Sequence, residues 1–196
     1  MNLFYLLAVC LFMFNGCGSK TDEKKDIPKP AAASVTAVPV VKDYKYYIAR
    51  AEIHRSKGEY TEAISDDDRA LALNPEFKQV YSLRGLAFLM AKKYPEALED
   101  MNHAILDNQD VEENYNNRCY CYDQMGQYDK AIIDCDNAIA LSPNVADPYD
   151  TRAQVYLHLK NYDKSWADIK KEKQLGGNPS ADMVDKLKKE SGRTES

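Results

Sequence analysis

After residue 43, apolar and small residues fall at three- and four-residue steps through most of the chain. One segment sets Tyr81, Arg84-Gly85, Phe88 and Leu89 along a single face, and the next carries Ala97-Leu98, Met101 and Ala104-Ile105. At 3.6 residues per turn such positions share one stripe, so both segments are predicted helices. Lys92-Lys93 separates them. Gly58, Gly126 and Lys160-Asn161 stand at matching points elsewhere, and Asn74-Pro75 and Ser142-Pro143 close two further segments. The pattern predicts an all-α chain of helix–turn–helix units.

The units keep one fixed step, that from Arg50 to Arg84. Arginine recurs at Arg50, Arg84, Arg118 and Arg152, each preceded by a tyrosine at Tyr47, Tyr81, Tyr115 and Tyr149. A second tyrosine column holds Tyr60, Tyr94, Tyr128 and Tyr162, and an aspartate column Asp66, Asp100, Asp134 and Asp168. A period of this size marks a stacked-repeat architecture. Four units are predicted, at 44–77, 78–111, 112–145 and 146–179. One helix pair is too thin to bury its own apolar face, so each unit must borrow core from its neighbours.

Within each unit the first helix reads Tyr47-x₂-Arg50-Ala51, Tyr81-x₂-Arg84-Gly85, Tyr115-x₂-Arg118-Cys119 or Tyr149-x₂-Arg152-Ala153. The second helix repeats a small residue at Ala63, Ala97, Ala131 and Ser165, and another at Ala70, Ala104 and Ala138. This motif resembles the tetratricopeptide repeat family. The resemblance implies a right-handed superhelix of four repeats plus a C-terminal capping helix. Gly176-Gly177 ends the last repeat and Asn178-Pro179-Ser180 opens the next helix. Residues 180–196 form the cap and tail, with the helix at 181–190, its stripe at Met183, Val184 and Leu187, and fraying from Ser191. Three positions depart from the family pattern: Gln109 replaces a closing proline, Asp67 a bulky apolar residue, and Glu172 the last small residue of unit four.

Arginine and aspartate recur together, always at the separation of Arg50 from Asp66. In an antiparallel hairpin that separation brings them together, predicting four ion pairs: Arg50–Asp66, Arg84–Asp100, Arg118–Asp134 and Arg152–Asp168. Cys119 and Cys135 have the same separation and face the hairpin interior, as a disulfide or as two buried thiols. Cys121 is expected to be half-buried and free.

The resemblance also places a concave groove along the first helices. The carried-over positions are Lys45, Ile48, Glu52 and Arg55 in unit one, and Gln79, Ser82, Leu86 and Leu89 in unit two. Unit three adds Glu113, Asn116, Tyr120 and Asp123, and unit four Asp147, Asp150, Gln154 and Leu157. Acids outnumber bases there, and Leu86, Leu89 and Tyr120 form an apolar anchor, which suits a polar or basic peptide. The alternative is a set of merely solvated side chains, with contact made elsewhere. One family subclass grips C-terminal carboxylates with Lys, Asn and Arg. Ile48, Glu52, Leu83, Glu113 and Asn117 occupy those places here, so that activity is not expected.

Residues 44 onward carry 21 basic and 27 acidic side chains. Such a balance argues against nucleic acid as a partner. His54, His103 and His158 lie in unrelated columns, so no metal site is expected. Asp66-Asp67-Asp68 resembles a cation cluster, but successive helical residues point about 100° apart, and a solvated face is the expected reading. No nucleophile has a base and oxyanion partner, and no phosphate loop occurs. Neither a cofactor nor catalysis is expected.

Leu3–Phe14 is an unbroken apolar run, short for a membrane span and suited to the core of a signal peptide at 1–16. The run ends in Phe14-Asn15-Gly16-Cys17, which resembles the lipobox of bacterial lipoproteins. The resemblance implies cleavage before Cys17, acylation of that cysteine, and location in the bacterial cell envelope, at the outer membrane facing the periplasm. An ordinary signal peptide with an incidental cysteine is the alternative. Residues 17–43 hold Pro28, Pro30, Pro39 and a mixed charge cluster, and read as a disordered tether. The functional expectation is a membrane-tethered adaptor that binds another protein or peptide through its groove; the alternative is a self-associating, homodimeric structural protein.

Overall fold

The computed structural model describes residues 42–193. The expected signal segment, Cys17 and the tether up to residue 41 lie outside the described residues.

Nine helices and no strands occur among the described residues. They are α1 (Tyr44–Ser56), α2 (Tyr60–Leu73), α3 (Gln79–Met90), α4 (Tyr94–Asp107), α5 (Glu112–Gln124), α6 (Tyr128–Leu141), α7 (Asp147–His158), α8 (Tyr162–Gln174) and α9 (Ala181–Ser191). Consecutive pairs pack as hairpins, α1 with α2 through α7 with α8. Each second helix also packs on the first helix of the next unit. Local chemistry sets several starts. The Asp43 side chain caps α1 by accepting from Tyr46 N at 2.9 Å. A proline stands in the first turn of α4 and of α7, where no helical N–H is lost.

The tight turn inside each hairpin needs one left-handed residue. Gly58, Lys92, Gly126 and Lys160 supply it, with φ of 75°, 59°, 70° and 57°. These four positions share one repeat column. Units one and three place glycine there, whereas units two and four hold lysine in a conformation that strains an L side chain. Lys92→Gly and Lys160→Gly are each expected to raise stability by about 0.5–1 kcal/mol, read as a higher midpoint in chemical denaturation.

Small residues set the helix separation. Ala51, Gly85, Cys119 and Ala153 are all buried at the hairpin crossing. A Cβ added at Gly85 would stand 2.8 Å from Met101 Cε, so glycine and methionine fit as a small–large pair. In unit three the same crossing is covalent: Cys119 and Cys135 form a disulfide, with Cα atoms 5.5 Å apart. Cys121 is free but fully buried rather than half-buried. Its column holds Ala87 and Val155, which the preceding unit covers, and burial pushes its thiol up to about 12.

The core clusters run across unit boundaries. Ala87 of unit two packs with Ala51, Ala63 and Ile64 of unit one, and Val155 of unit four packs with Cys119, Ala131 and Cys135. At the C-terminal end Met183, Val184 and Leu187 of α9 close over Ala153, Leu157 and Ile169. Helix α9 therefore covers the apolar end that a fifth repeat would otherwise cover.

Candidate functional site

Arginine fixes the framework of the groove. Arg84 Nε and Nη2 donate to the two Asp100 oxygens at 2.8 and 2.7 Å. Arg118 holds Asp134 at 2.6 and 2.7 Å, and Arg152 holds Asp168 at 2.8 and 2.6 Å. Arg50 makes the same two-pronged contact with Asp66. From unit two onward the third nitrogen, Nη1, reaches back to the preceding unit: Arg84 to Asp68 at 2.5 Å, Arg118 to Asn102 at 2.7 Å and Arg152 to Asp136 at 2.6 Å. Each of these guanidinium groups therefore ties three helices together.

Aromatic rings complete the clamp. Arg84 lies between Tyr81 and Phe88, Arg118 between Tyr115 and Tyr122, and Arg152 between Tyr149 and Tyr156, each 5.6–6.0 Å from the ring centroids. The hydrogen bond to Asp100 raises the Arg84 pKa further above its usual range, and the hydrogen bond from Arg50 lowers that of Asp66. The link between units left a sequence signal of its own. Asp68, Asn102 and Asp136 stand as far before the next arginine as Asp66 stands after Arg50.

The expected solvated face at Asp66-Asp67-Asp68 is corrected by this geometry. Asp66 and Asp67 are buried, and only Asp68 is exposed. Their divergent directions send each carboxylate to a different arginine: Arg50, Arg55 and Arg84. Asp67 occupies the column of Met101, Cys135 and Ile169, all core residues. Arg55 donates to it at 2.7 Å from the column of Leu89 and Leu157. A charged pair has thus replaced a Leu–Met type contact. Arg55→Leu with Asp67→Met is expected to leave stability equal or raise it by about 1–4 kcal/mol, while Arg55→Leu alone lowers it. Comparing the three in urea melts checks this.

Two residues expected to meet a peptide are consumed internally, which corrects the groove. Arg55 is bound to Asp67 and Glu52. Asp123 is buried, its Oδ1 2.7 Å from His158 Nδ1 across the unit boundary. Leu157 is also withdrawn, into the α9 cluster. Neither His158 nor the His54 contact with Glu59 followed from a repeating column. Among the described residues no group of three His, Cys, Asp or Glu side chains is placed to hold a metal ion.

What stays available is still acidic, since one acid and one base have been withdrawn. Lys45, Glu52, Gln79 and Glu113 are exposed, as is Asp147, and Leu86 is 37% exposed. Ser82, Leu89, Asn116, Asp150 and Gln154 are half-buried. Tyr120 is half-buried beside Tyr94, ring centroids 6.5 Å apart, and burial raises its hydroxyl pKa. At the N-terminal end Tyr44, Lys45, Ile48, Ala49, Glu52, Arg55, Phe77 and Leu83 line a depression of about 460 Å³. Four of the predicted groove positions thus meet in one hollow, floored by apolar side chains.

Unit four carries a carboxyl pair. Asp150 on α7 accepts from Gln154 Nε2 at 3.0 Å and lies within proton-sharing reach of Glu172 on α8. Burial raises the pKa of both, and the negative charge of Asp150 and then Asp147 helps bring Glu172 up to about 7. Burial likewise brings Asp67 up to about 7 against the pull of Arg55. A raised carboxyl pKa means the folded chain binds more protons than the unfolded one between the two values. That contribution is full below the unfolded pKa and is lost as pH rises through about 7. The thermal midpoint is therefore expected to fall between about pH 5 and pH 8, and Glu172→Gln to flatten part of the fall. Thermal melts across that range check the sign.

Four units of this geometry define the tetratricopeptide type of helical-repeat fold. Residues 44–77 and 113–145 match models of the tetratricopeptide repeat, so the chain carries tetratricopeptide repeats. Neither model describes an enzyme. Among solved structures, MamA from Desulfovibrio magneticus RS-1 is similar at a TM-score of 0.65 and 19% identity, over 68% of this chain and 76% of that one. A tetratricopeptide repeat protein from Parabacteroides merdae is similar at 0.62 and 21%, over 76% and 60%. The first tetratricopeptide domain of Spaghetti (RPAP3), solved with an HSP90 peptide bound, is similar at 0.57 and 19%, over 60% and 94%. At these identities the likeness concerns the fold. No curated protein matches the sequence.

Proposed function

We propose that this chain is a protein-interaction scaffold that grips a partner polypeptide along its concave face and is held to the bacterial envelope by acylated Cys17. The observation that carries the reading is the wall built by the first helices. It combines the apolar hollow at Tyr44, Ile48, Phe77 and Leu83 with exposed Leu86 and a row of acids at Glu52, Glu113 and Asp147. Apolar anchors beside exposed acids, of which Glu52 is already held by Arg55, suit a segment with a hydrophobic side chain and a basic one. The Spaghetti domain, of like fold, was solved with a peptide bound. The Cys119–Cys135 disulfide supports an oxidising compartment, as export requires.

The anchor and the groove are tested separately. Metabolic labelling with a radioactive fatty acid should mark the native chain and not Cys17→Ser, and the variant should leave the membrane fraction. A label that persists in the variant would contradict the anchor. For the groove, Leu86→Asp with Leu89→Asp and Tyr120→Ala should lose the partner captured by the native chain at matched thermal stability.

A second reading, self-association, draws on the N-terminal end. Ile53 is 51% exposed, although its column is fully buried in Ala87, Cys121 and Val155. An apolar side chain exposed on the first described repeat is where a second copy would stack. A dimer that persists on dilution and falls apart in Ile53→Lys would favour this reading.

A further inference from the structure

The first helices do not stack evenly. Helix α5 packs directly on α7 and α3 on α5, whereas α1 makes little contact with α3. The repeat columns supply a cause. Ile48 on α1 and Leu83 on α3 line the same hollow. One unit later these two columns hold Ser82 and Asn117, and a unit further Asn116 and Thr151. Small polar side chains let the later helices close up. Ile48 and Leu83 are bulkier and hold α1 away from α3, so the hollow at this boundary is a cleft between the two helices. Tyr44 likewise stands in the column of Lys78, Glu112 and Ala146.

The cleft is apolar and open. Tyr44, Ile48, Phe77 and Leu83 are each half-buried, and the Tyr44 and Phe77 ring centroids are 5.4 Å apart. Its volume of about 460 Å³ lies in the range of pockets that enclose a small ligand, so it has room for more than one side chain. The charges at its rim are already balanced. Arg55 donates to both Asp67 and Glu52, and the Lys45 ammonium stands over the Tyr44 ring, 5.9 Å from its centroid. A charged side chain entering the cleft would give up hydration and meet counter-charges that are already engaged, whereas an apolar one gives up nothing.

Resting on the groove reading above, we propose that the cleft between α1 and α3 is the specificity pocket of that groove. It takes an uncharged stretch of the partner with two apolar side chains at alternate positions. Alternate residues of an extended chain lie on one side, so the two enter together. The basic side chain of the partner then lies outside the cleft, toward Glu113 and Asp147.

The test uses the full chain with ¹³C-labelled isoleucine, leucine and alanine methyl groups. The probes are two blocked tripeptides, N-acetyl-phenylalanyl-seryl-leucinamide and N-acetyl-lysyl-seryl-leucinamide, titrated at equal ionic strength. Methyl shifts of Ile48, Ala49 and Leu83, which all line the cleft, report binding. The cleft predicts about 10- to 100-fold tighter binding of the phenylalanyl peptide, the ratio that follows from burying one such side chain. It also predicts that Ile48→Ser with Leu83→Asn abolishes binding, read at the Ala49 methyl. Both substitutions copy residues that the chain carries in these columns at Ser82 and Asn117, so the fold is expected to hold. Phe77→Val, a second variant that copies Val111 and Val145, should weaken binding several-fold. Equal affinities for the two tripeptides, or binding unchanged in the double variant, would overturn the proposal. Methyl shifts that follow protein concentration with no peptide added would also overturn it and give the cleft to a second copy.

Partner capture then separates the two levels. If the partner is lost in the Leu86, Leu89 and Tyr120 variant while the cleft does not tell the tripeptides apart, the specificity pocket fails and the groove stands. If the cleft selects the phenylalanyl peptide while the partner is kept in both that variant and Ile48→Ser with Leu83→Asn, the pocket stands and the groove reading fails.

Discussion

Replacing Arg84 with methionine is expected to destabilise the chain by about 3–5 kcal/mol. The magnitude follows from what is left behind. Asp100 is 2% exposed and loses both of its guanidinium hydrogen bonds, so a buried carboxylate remains without a counter-charge. Asp68→Ala, which removes only the link to the preceding unit, is expected to cost about 0–1 kcal/mol, because Asp68 is exposed. Arg84→Met with Asp100→Leu should recover most of the loss, since no charge then stays buried. Equilibrium unfolding in urea of the three variants checks the ranking. A loss in Asp68→Ala as large as in Arg84→Met would mean that the link between units, rather than the hairpin pair, carries the energy. The arginines set the spacing and direction of the first helices, so they act on the groove by positioning its wall.

The second large effect is expected at the disulfide. Reduction of Cys119–Cys135 releases a loop closed by a sequence separation of 16, worth about 3 kcal/mol of denatured-state entropy. Cys119→Ala with Cys135→Ile copies the Ala153–Ile169 pair that fills the same crossing in unit four. That variant should keep the helical spectrum and lose all sensitivity to reductant, with stability near that of the reduced native chain. Thermal melts with and without dithiothreitol make the comparison. A native chain whose midpoint ignores reductant would show that the two sulfurs are not bonded in solution.

Features that repeat were the most legible in the sequence, and single departures from a repeat column the least. A column sampled four times reports a contact made four times. Tyr47, Arg50 and Asp66 and their successors therefore gave the helix pairs, the stacking and the hairpin ion pairs. The stripe at Met183, Val184 and Leu187 gave the capping helix to within one residue of its observed end at Ser191. Single substitutions against a column carry no such average. Asp67 against Met101 and Ile169 marked an irregularity, but not that Arg55 would follow it into the core. Asp123 and His158 lie in different units and meet across the boundary between them, so no periodic signal joins them. The groove suffered most from this. A family resemblance names which helix face is concave, whereas internal pairs decide which of its side chains remain available.

Glu172 carries the same lesson. In a stability-only reading, a glutamate in an alanine column is a defect. Here its buried carboxyl pairs with Asp150, and Gly177 leaves the room that alanine would otherwise not need. A similar trade holds at the turns, where Lys92 and Lys160 sit at left-handed positions that glycine fills without strain in units one and three.

The central claim is that the concave face holds a partner, and site-specific photocrosslinking in living cells tests it most directly. A photoreactive residue would replace Gln79 or Leu86 on the groove wall, and Ile133, exposed on α6, as the control. The claim predicts one shared crosslinked protein from Gln79 and Leu86, and none from Ile133. Crosslinks from Ile133 alone, or only to a second copy of the chain, would contradict it and place the interaction on the outer helices or at the superhelix ends.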